Sequence, residues 1–143
     1  MLGRRLSTAT IMFHAAVADR QGVSVTDAKC RSLVLQQGPK TAGYLALHLG
    51  LTTGAVTGVI DRLVRARLVR RVVDPKDRRR VVVEPVLNRK RDQEVAQLFE
   101  PMGKRVVALT AAYTKHDQAI IVEFLTKACQ ILEEETLRLR AKR

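Results

Sequence analysis

The sequence predicts a mainly α-helical protein with one small β-hairpin, and three observations predict it. Apolar residues recur at helical spacing over most of the 143 residues. Only Leu68–Val73 and Arg80–Glu84 are dense in valine with interleaved arginine, the composition of short strands. The link between them, DPKDRR, is turn chemistry: Pro75 fixes φ, and Asp74 and Asp77 favour side-chain to backbone bonds. A chain of this length holds one domain with a real core and is too short for two ordinary ones.

Taken in order, Leu6–Arg20 is an alanine-rich helix with apolar Leu6, Ile11, Phe13, Ala15, Val17 and Ala18, stopped at Gly22. Ser24 and Thr26 offer caps for a second helix, Asp27–Gln37, with Ala28, Cys30, Leu33, Val34 and Leu35 facing inward and Gly38–Pro39 ending it. Thr41 caps a short helix, Ala42–Leu49, that buries Leu45, Ala46 and Leu49 and ends at Gly50. Thr52 or Thr53 caps the next, which runs to about Ala66. Its inner face is Ala55, Val56, Val59, Ile60 and Leu63, and its outer face Gly54, Thr57, Gly58, Asp61, Arg62 and Arg65. Two short helices about a glycine turn form a helix-turn-helix signature, and the hairpin that follows supplies a wing closed by Pro85. Asn88 to about Lys115 is a long helical region that Pro101 and Gly103 should kink or interrupt. Thr114–Asp117 breaks the pattern, and Gln118–Arg140 carries a last apolar stripe. Glu133, Glu134 and Glu135 precede Arg138, Arg140, Lys142 and Arg143, giving a basic final turn.

Charge narrows the function. A net charge of +12 points to a polyanionic partner, with a solvated basic surface as the competing explanation. The charge is concentrated: twelve Lys/Arg against five acids lie between Asp61 and Asp92. Aromatics at 3% are too few and too scattered for a single-strand stacking platform. No phosphate loop, nucleophile–base pairing or paired carboxylates in an apolar setting suggest an enzyme. His14, His48 and His116 are isolated, and Cys30 and Cys129 form no CxxC, so neither a metal nor another cofactor is expected. No apolar run nears a bilayer span, and Arg4–Arg5 precede no signal-peptide pattern. A cytoplasmic protein with reduced thiols is expected.

The segments GPKTAGYLALHLGLTTGAVTGVIDRLVRARLVRR and DPKDRRRVVVEP, with VTDAKCRSLVLQQG ahead of them, carry a resemblance over almost the whole chain. The chain resembles the MarR (multiple antibiotic resistance regulator) family of bacterial transcription factors. The resemblance implies a winged helix-turn-helix at 23–87, flanked by an N-terminal dimerisation helix at 1–22 and C-terminal dimerisation helices at 88–143. It implies a homodimer whose two winged lobes meet adjacent major grooves of a double-stranded DNA operator. It also implies a repressor, less often an activator, and in many members a small phenolic or other lipophilic effector changes DNA affinity. A ligand-independent architectural DNA-binding protein is the other reading. Two departures stand out: Arg67 where the family often has glycine before the first wing strand, and Pro85–Arg89 where an LTxxG segment often follows the wing.

Thr52, Thr53, Gly54, Thr57 and Gly58 then fall at the start of the recognition helix, facing the major groove. Glycine lets the backbone come close, and threonine can bond to a phosphate or base edge or meet a thymine methyl. Helix packing is the competing reason for the glycines. Arg62 is the one candidate for bidentate guanine reading, so discrimination rests partly on DNA shape. The resemblance makes Arg79 the wing-tip arginine that enters the minor groove and Asp77 the acid that orients it. Lys76, Arg78, Arg80, Thr41 and Arg62 are phosphate contacts in the same reading. Family members that sense oxidants carry their reactive cysteine nearer the N-terminus than Cys30, whose apolar face predicts a buried, inert thiol.

Overall fold

The computed structural model describes residues 1–141; Lys142 and Arg143 of the expected basic final turn lie outside the described residues. The chain forms two units, Met1–Val95 and Ala96–Arg143. The first holds α1 (Leu2–Arg20), α2 (Val25–Gln37), β1 (Lys40–Thr41), α3 (Ala42–Leu49), α4 (Thr53–Arg65), β2 (Val69–Asp74), β3 (Asp77–Pro85) and the start of α5 (Arg89–Ala111). The second holds the rest of α5 and α6 (Lys115–Ala141).

Serine and threonine caps set the starts of α2, α3 and α4. Ser24 accepts the N–H of Asp27 at 3.0 Å, Thr41 that of Tyr44 at 3.2 Å and Thr52 that of Ala55 at 3.2 Å. Each satisfies a donor the first turn leaves open. Gly50 ends α3 in the left-handed region at φ +69°, and its turn closes with Leu51 N donating to Ala46 O at 2.9 Å.

The aliphatic core packs Cys30 and Val34 of α2, Leu45 of α3, and Val56, Val59, Ile60 and Leu63 of α4 against Leu68, Val69 and Val83 of the hairpin. Leu45, Ile60 and Leu63 are fully buried, each worth roughly 1.5–3 kcal/mol relative to exposure. Two residues expected inside are exposed instead: Ala55, in the first turn of α4, and Leu35, about 100° round α2 from Val34.

The sheet has order β1-β3-β2 and is antiparallel throughout. The sequence reading did not anticipate β1, which pairs Lys40 with Val83 and Thr41 with Val82. The wing strands also run further toward the tip than expected: β2 is shifted by one residue to end at Asp74 and β3 is longer, beginning at Asp77, which leaves only Pro75–Lys76 as the turn. The register slips between Val73, opposite Val81, and Asp74, opposite Asp77. Arg78, Arg79 and Arg80 therefore belong to β3 yet have no Cα partner in β2.

Arg67 takes the left-handed conformation, φ +55°, at the exit of α4. Leu68 N donates to Leu63 O at 2.8 Å and Arg67 N to Val64 O at 2.9 Å, the paired bonds of a Schellman motif in which glycine is the usual residue. A side chain in this region costs about 1–2 kcal/mol, against about 0.5–1 kcal/mol for the extra chain entropy of glycine. Arg67→Gly is therefore expected to stabilise the protein by roughly 0.5 kcal/mol, read as a higher midpoint in urea with an unchanged slope. A lower midpoint would show that the arginine side chain contributes more than its strain.

In the second unit α5 runs unbroken through Pro101 and Gly103, so the expected interruption does not occur. Proline removes one backbone donor, and the Lys104–Glu100 pair, one turn apart, spans its position. Thr114 and Asp117 cap α6 reciprocally: Thr114 N donates to Asp117 Oδ2 at 3.2 Å, and Asp117 N to Thr114 Oγ1 at 3.2 Å. That box starts the helix at Lys115, three residues before the expected Gln118. No described side chain from Ala96 to Arg140 is buried.

Candidate nucleic-acid interface

The outer surface of α4 is built by difference. Val56, Val59, Ile60 and Leu63 turn inward, which leaves Thr53, Gly54, Thr57 and Arg62 exposed and Gly58 half-buried. A Cβ placed on Gly54 would meet nothing within 4 Å, so no packing inside this chain requires glycine there. At Gly58 a Cβ would touch only Arg62 Nη1, at 3.6 Å.

The hydroxyls differ in what they can still offer. Thr41 and Thr52 accept helix N–H groups and keep their own hydrogens to donate. Thr57 gives its hydrogen to the Thr53 carbonyl at 2.9 Å, leaving lone pairs and a methyl for an approaching base. On the wing, Asp74 accepts from Lys76 N at 2.9 Å and Asp77 from Arg79 N at 3.0 Å, the local bonds expected of this turn. Arg79 extends into solvent with its side chain 95% exposed, its Nε 3.7 Å from Asp77 Oδ1. Arg71 of β2 reaches Asp61 of α4 at 2.7 Å and ties the wing to the helix.

Two groups of charges stand behind this surface. Asp27, 5% exposed, accepts both Arg62 Nε at 3.0 Å and Arg62 Nη2 at 2.7 Å. Burial pushes the Asp27 carboxyl up, but the Arg62 hydrogen bond and charge and the Ser24 cap outweigh it, so it lies below the usual carboxylate value. The second group sits where the wing runs into α5. Asn88 caps the helix by accepting Arg91 N at 3.0 Å, and Asp92 accepts Asn88 N at 3.0 Å. Buried Arg31 of α2 donates to Asp92 at 2.6 Å. Burial raises the Asp92 carboxyl, yet the Arg31 hydrogen bond, the Asn88 N–H and the charges of Arg31 and Arg91 bring it below its ordinary value. Arg91 donates to the carbonyls of Arg67, at 3.1 Å, and Val86, at 3.3 Å. Arg91, two residues past the Pro85–Arg89 departure, thus ties that segment, through the Val86 carbonyl, to the non-glycine turn at Arg67.

A family model described as MarR family matches residues 33–80, which span the end of α2, β1, α3, α4, β2 and the wing tip as far as Arg80. The uncharacterized HTH-type transcriptional regulator YcgE of Bacillus subtilis is 41% identical over 139 residues, covering 97% of this chain and 89% of its own. The chain belongs to the MarR family. It is a DNA-binding transcriptional regulator. A MarR family protein from Bacillus stearothermophilus has the same fold, with a TM-score of 0.71 at 18% identity over 92% of this chain and 90% of that one. A MepR mutant from S. aureus, solved bound to an oligodeoxyribonucleotide, aligns with a TM-score of 0.58 at 20% identity over 92% of this chain and 95% of its own.

In this MarR-family regulator the sequence-predicted residues fall on three parts of one unit. Thr41 opens α3, Thr52–Arg62 lie on α4 or cap it, and Lys76–Arg80 form the wing tip. The sequence reading missed Asp27, Arg31, Arg91 and Asp92. An acid within the first turn of α2 resembles ordinary helix-dipole complementation, and nothing in the spacing reveals a partner 35 positions away. It also missed Lys40, whose Nζ lies 4.9 Å from the Tyr44 ring centre, and the stacking of His48 on Tyr44 at 3.7 Å. Cys30 is fully buried, and burial, then the nearby Asp27 charge, pushes its thiol up to about 11, too high for a reactive thiolate at neutral pH. Cys129 is exposed. Among the described residues no single helix is long and apolar enough to cross a membrane.

Proposed function

We propose that this regulator binds a specific double-stranded operator as a homodimer and represses transcription by occupying it, with release by a small lipophilic or phenolic effector. The observation that carries the proposal is the pairing of an open, glycine-lined face on α4 with a basic wing in one unit. Residues 23–87 serve as the DNA-binding module; 1–22 and 88–143 serve dimerisation. Thr52, Thr53, Gly54, Thr57 and Gly58 approach the major groove, where Thr57 presents acceptor lone pairs and a methyl to bases. Thr41, Lys76, Arg78 and Arg80 bond to phosphates. Arg79 enters the minor groove, its backbone held by Asp77. The DNA-bound MepR mutant supports this placement by its shared fold.

The test is capture and sequencing of genomic fragments by the purified protein, followed by mobility shifts on the enriched fragment. A dimer neutralising roughly 6–10 phosphates should lose about 10³–10⁵ in affinity between 50 and 200 mM salt. A few strongly enriched sites, and their release by at least one of a panel of small phenolic acids, are the expected results. Uniform coverage with no response to the acids would favour the architectural reading.

A further inference from the structure

The Asp27–Arg62 pair does more than neutralise a buried acid. A guanidinium offers a side edge, Nε with Nη2, and an end edge, Nη1 with the second hydrogen of Nη2. Asp27 takes the side edge with both oxygens, at 3.0 and 2.7 Å. That fixes the plane of the group and turns the end edge away from α2. Arg62 is half exposed, 49% for its side chain, while Asp27 is sealed beneath it. Helical side chains lean toward the N-terminus, and Arg62 Nη1 accordingly lies 3.6 Å from where a Gly58 Cβ would stand, one turn back along α4. Gly58 belongs to the surface assigned to the major groove, and the N-terminal part of a recognition helix is the part that reaches base edges.

We propose that Arg62, oriented by Asp27, reads a guanine in the operator through its end edge, with Asp27 as the positioning residue. The geometry suits guanine, whose O6 and N7 accept two parallel N–H bonds from one guanidinium. Holding the group in advance removes the rotamer entropy that a long free side chain would lose on binding. The buried carboxylate also offsets the positive charge, which favours a neutral base edge over a phosphate. The proposal rests on α4 meeting the major groove, and the test separates failure of that premise from failure of the proposal.

The experiment is selection from a randomised duplex library with wild type, Arg62→Lys, Arg62→Ala, Asp27→Asn and the double variant Asp27→Asn/Arg62→Ala. The wild type should require guanine at one position of each half-site. Arg62→Lys keeps the charge and a partner for Asp27 but not the fork, and should reduce that preference by about 5- to 150-fold while leaving the other positions as they were. Asp27→Asn should weaken the same position in part, and should add nothing in the Arg62→Ala background. Two outcomes overturn the proposal while leaving the major-groove premise intact. One is that Arg62→Ala weakens all sequences alike and lowers the salt slope by about one per subunit, the mark of a phosphate contact. The other is that Asp27→Asn leaves the guanine preference unchanged with Arg62 present. A wild type that selects no sequence overturns both premise and proposal.

Discussion

Replacing Arg79 with alanine is expected to weaken operator binding by roughly 10²- to 10⁴-fold and to leave folding and assembly unchanged. The side chain is 95% exposed and packs on nothing, and its one carboxylate neighbour is 3.7 Å away. An exposed pair of that kind contributes little to stability. The turn does not depend on it either, because Asp77 holds the Arg79 backbone N–H at 3.0 Å, a bond alanine retains. In a narrow minor groove the guanidinium meets concentrated negative potential and sheds its weakly held water. A hydrogen bond to a charged group is worth about 1.5–3 kcal/mol, and two wings per dimer double it. Mobility shifts of both proteins on one fragment, beside sedimentation of each, make the measurement. Arg79→Lys should fall between them, since an ammonium keeps its charge and holds its water more firmly. Equal affinity of wild type and Arg79→Ala would remove the wing from the minor groove.

The parts of this surface that were legible in the sequence are those written in local chemistry. α3 ends with glycine, and α3 and α4 each begin with threonine, so their limits follow from capping alone. The wing was legible in composition and less so in extent. Its register slip depends on pairing across the hairpin, and three successive arginines read as turn or strand with equal ease. β1 spans two residues beside Pro39 and leaves no pattern to find. Arg67 could be singled out because the family prefers glycine there, and the choice between a left-handed residue and a different exit needed the fold. The Arg62–Asp27 and Arg31–Asp92 pairs were invisible for another reason: partners 35 and 61 positions apart come together only once the core has formed. A basic residue on an outer helix face reads as a solvent or DNA contact until the acid beneath it is seen.

A double substitution in α6, Leu125→Asp with Leu132→Asp, is expected to dissociate the proposed dimer. Ile121, Leu125, Ala128 and Leu132 recur at three- and four-residue steps along one face of that helix, and Leu139 lies seven residues further on the same face. None is buried within its own chain, and Leu132 is 68% exposed. Contiguous apolar surface of this kind marks an interaction site, and a second copy of the same helix presents a matching face. Each leucine covered in a dimer contributes roughly 1.5–3 kcal/mol, and symmetry counts the two positions twice. Carboxylates at those positions would also need water that an apolar seam excludes. The dissociation constant should rise by at least about 10³-fold, enough to give monomers in sedimentation at micromolar protein. DNA affinity should then fall by about 10²-fold or more, because two linked half-site contacts become two independent ones. The core formed by α2, α3, α4 and the hairpin contains neither leucine, so the lost affinity is not a consequence of lost core packing. A variant that still sediments as a dimer would move the subunit interface away from this face of α6, and would leave its exposed leucines to some other partner.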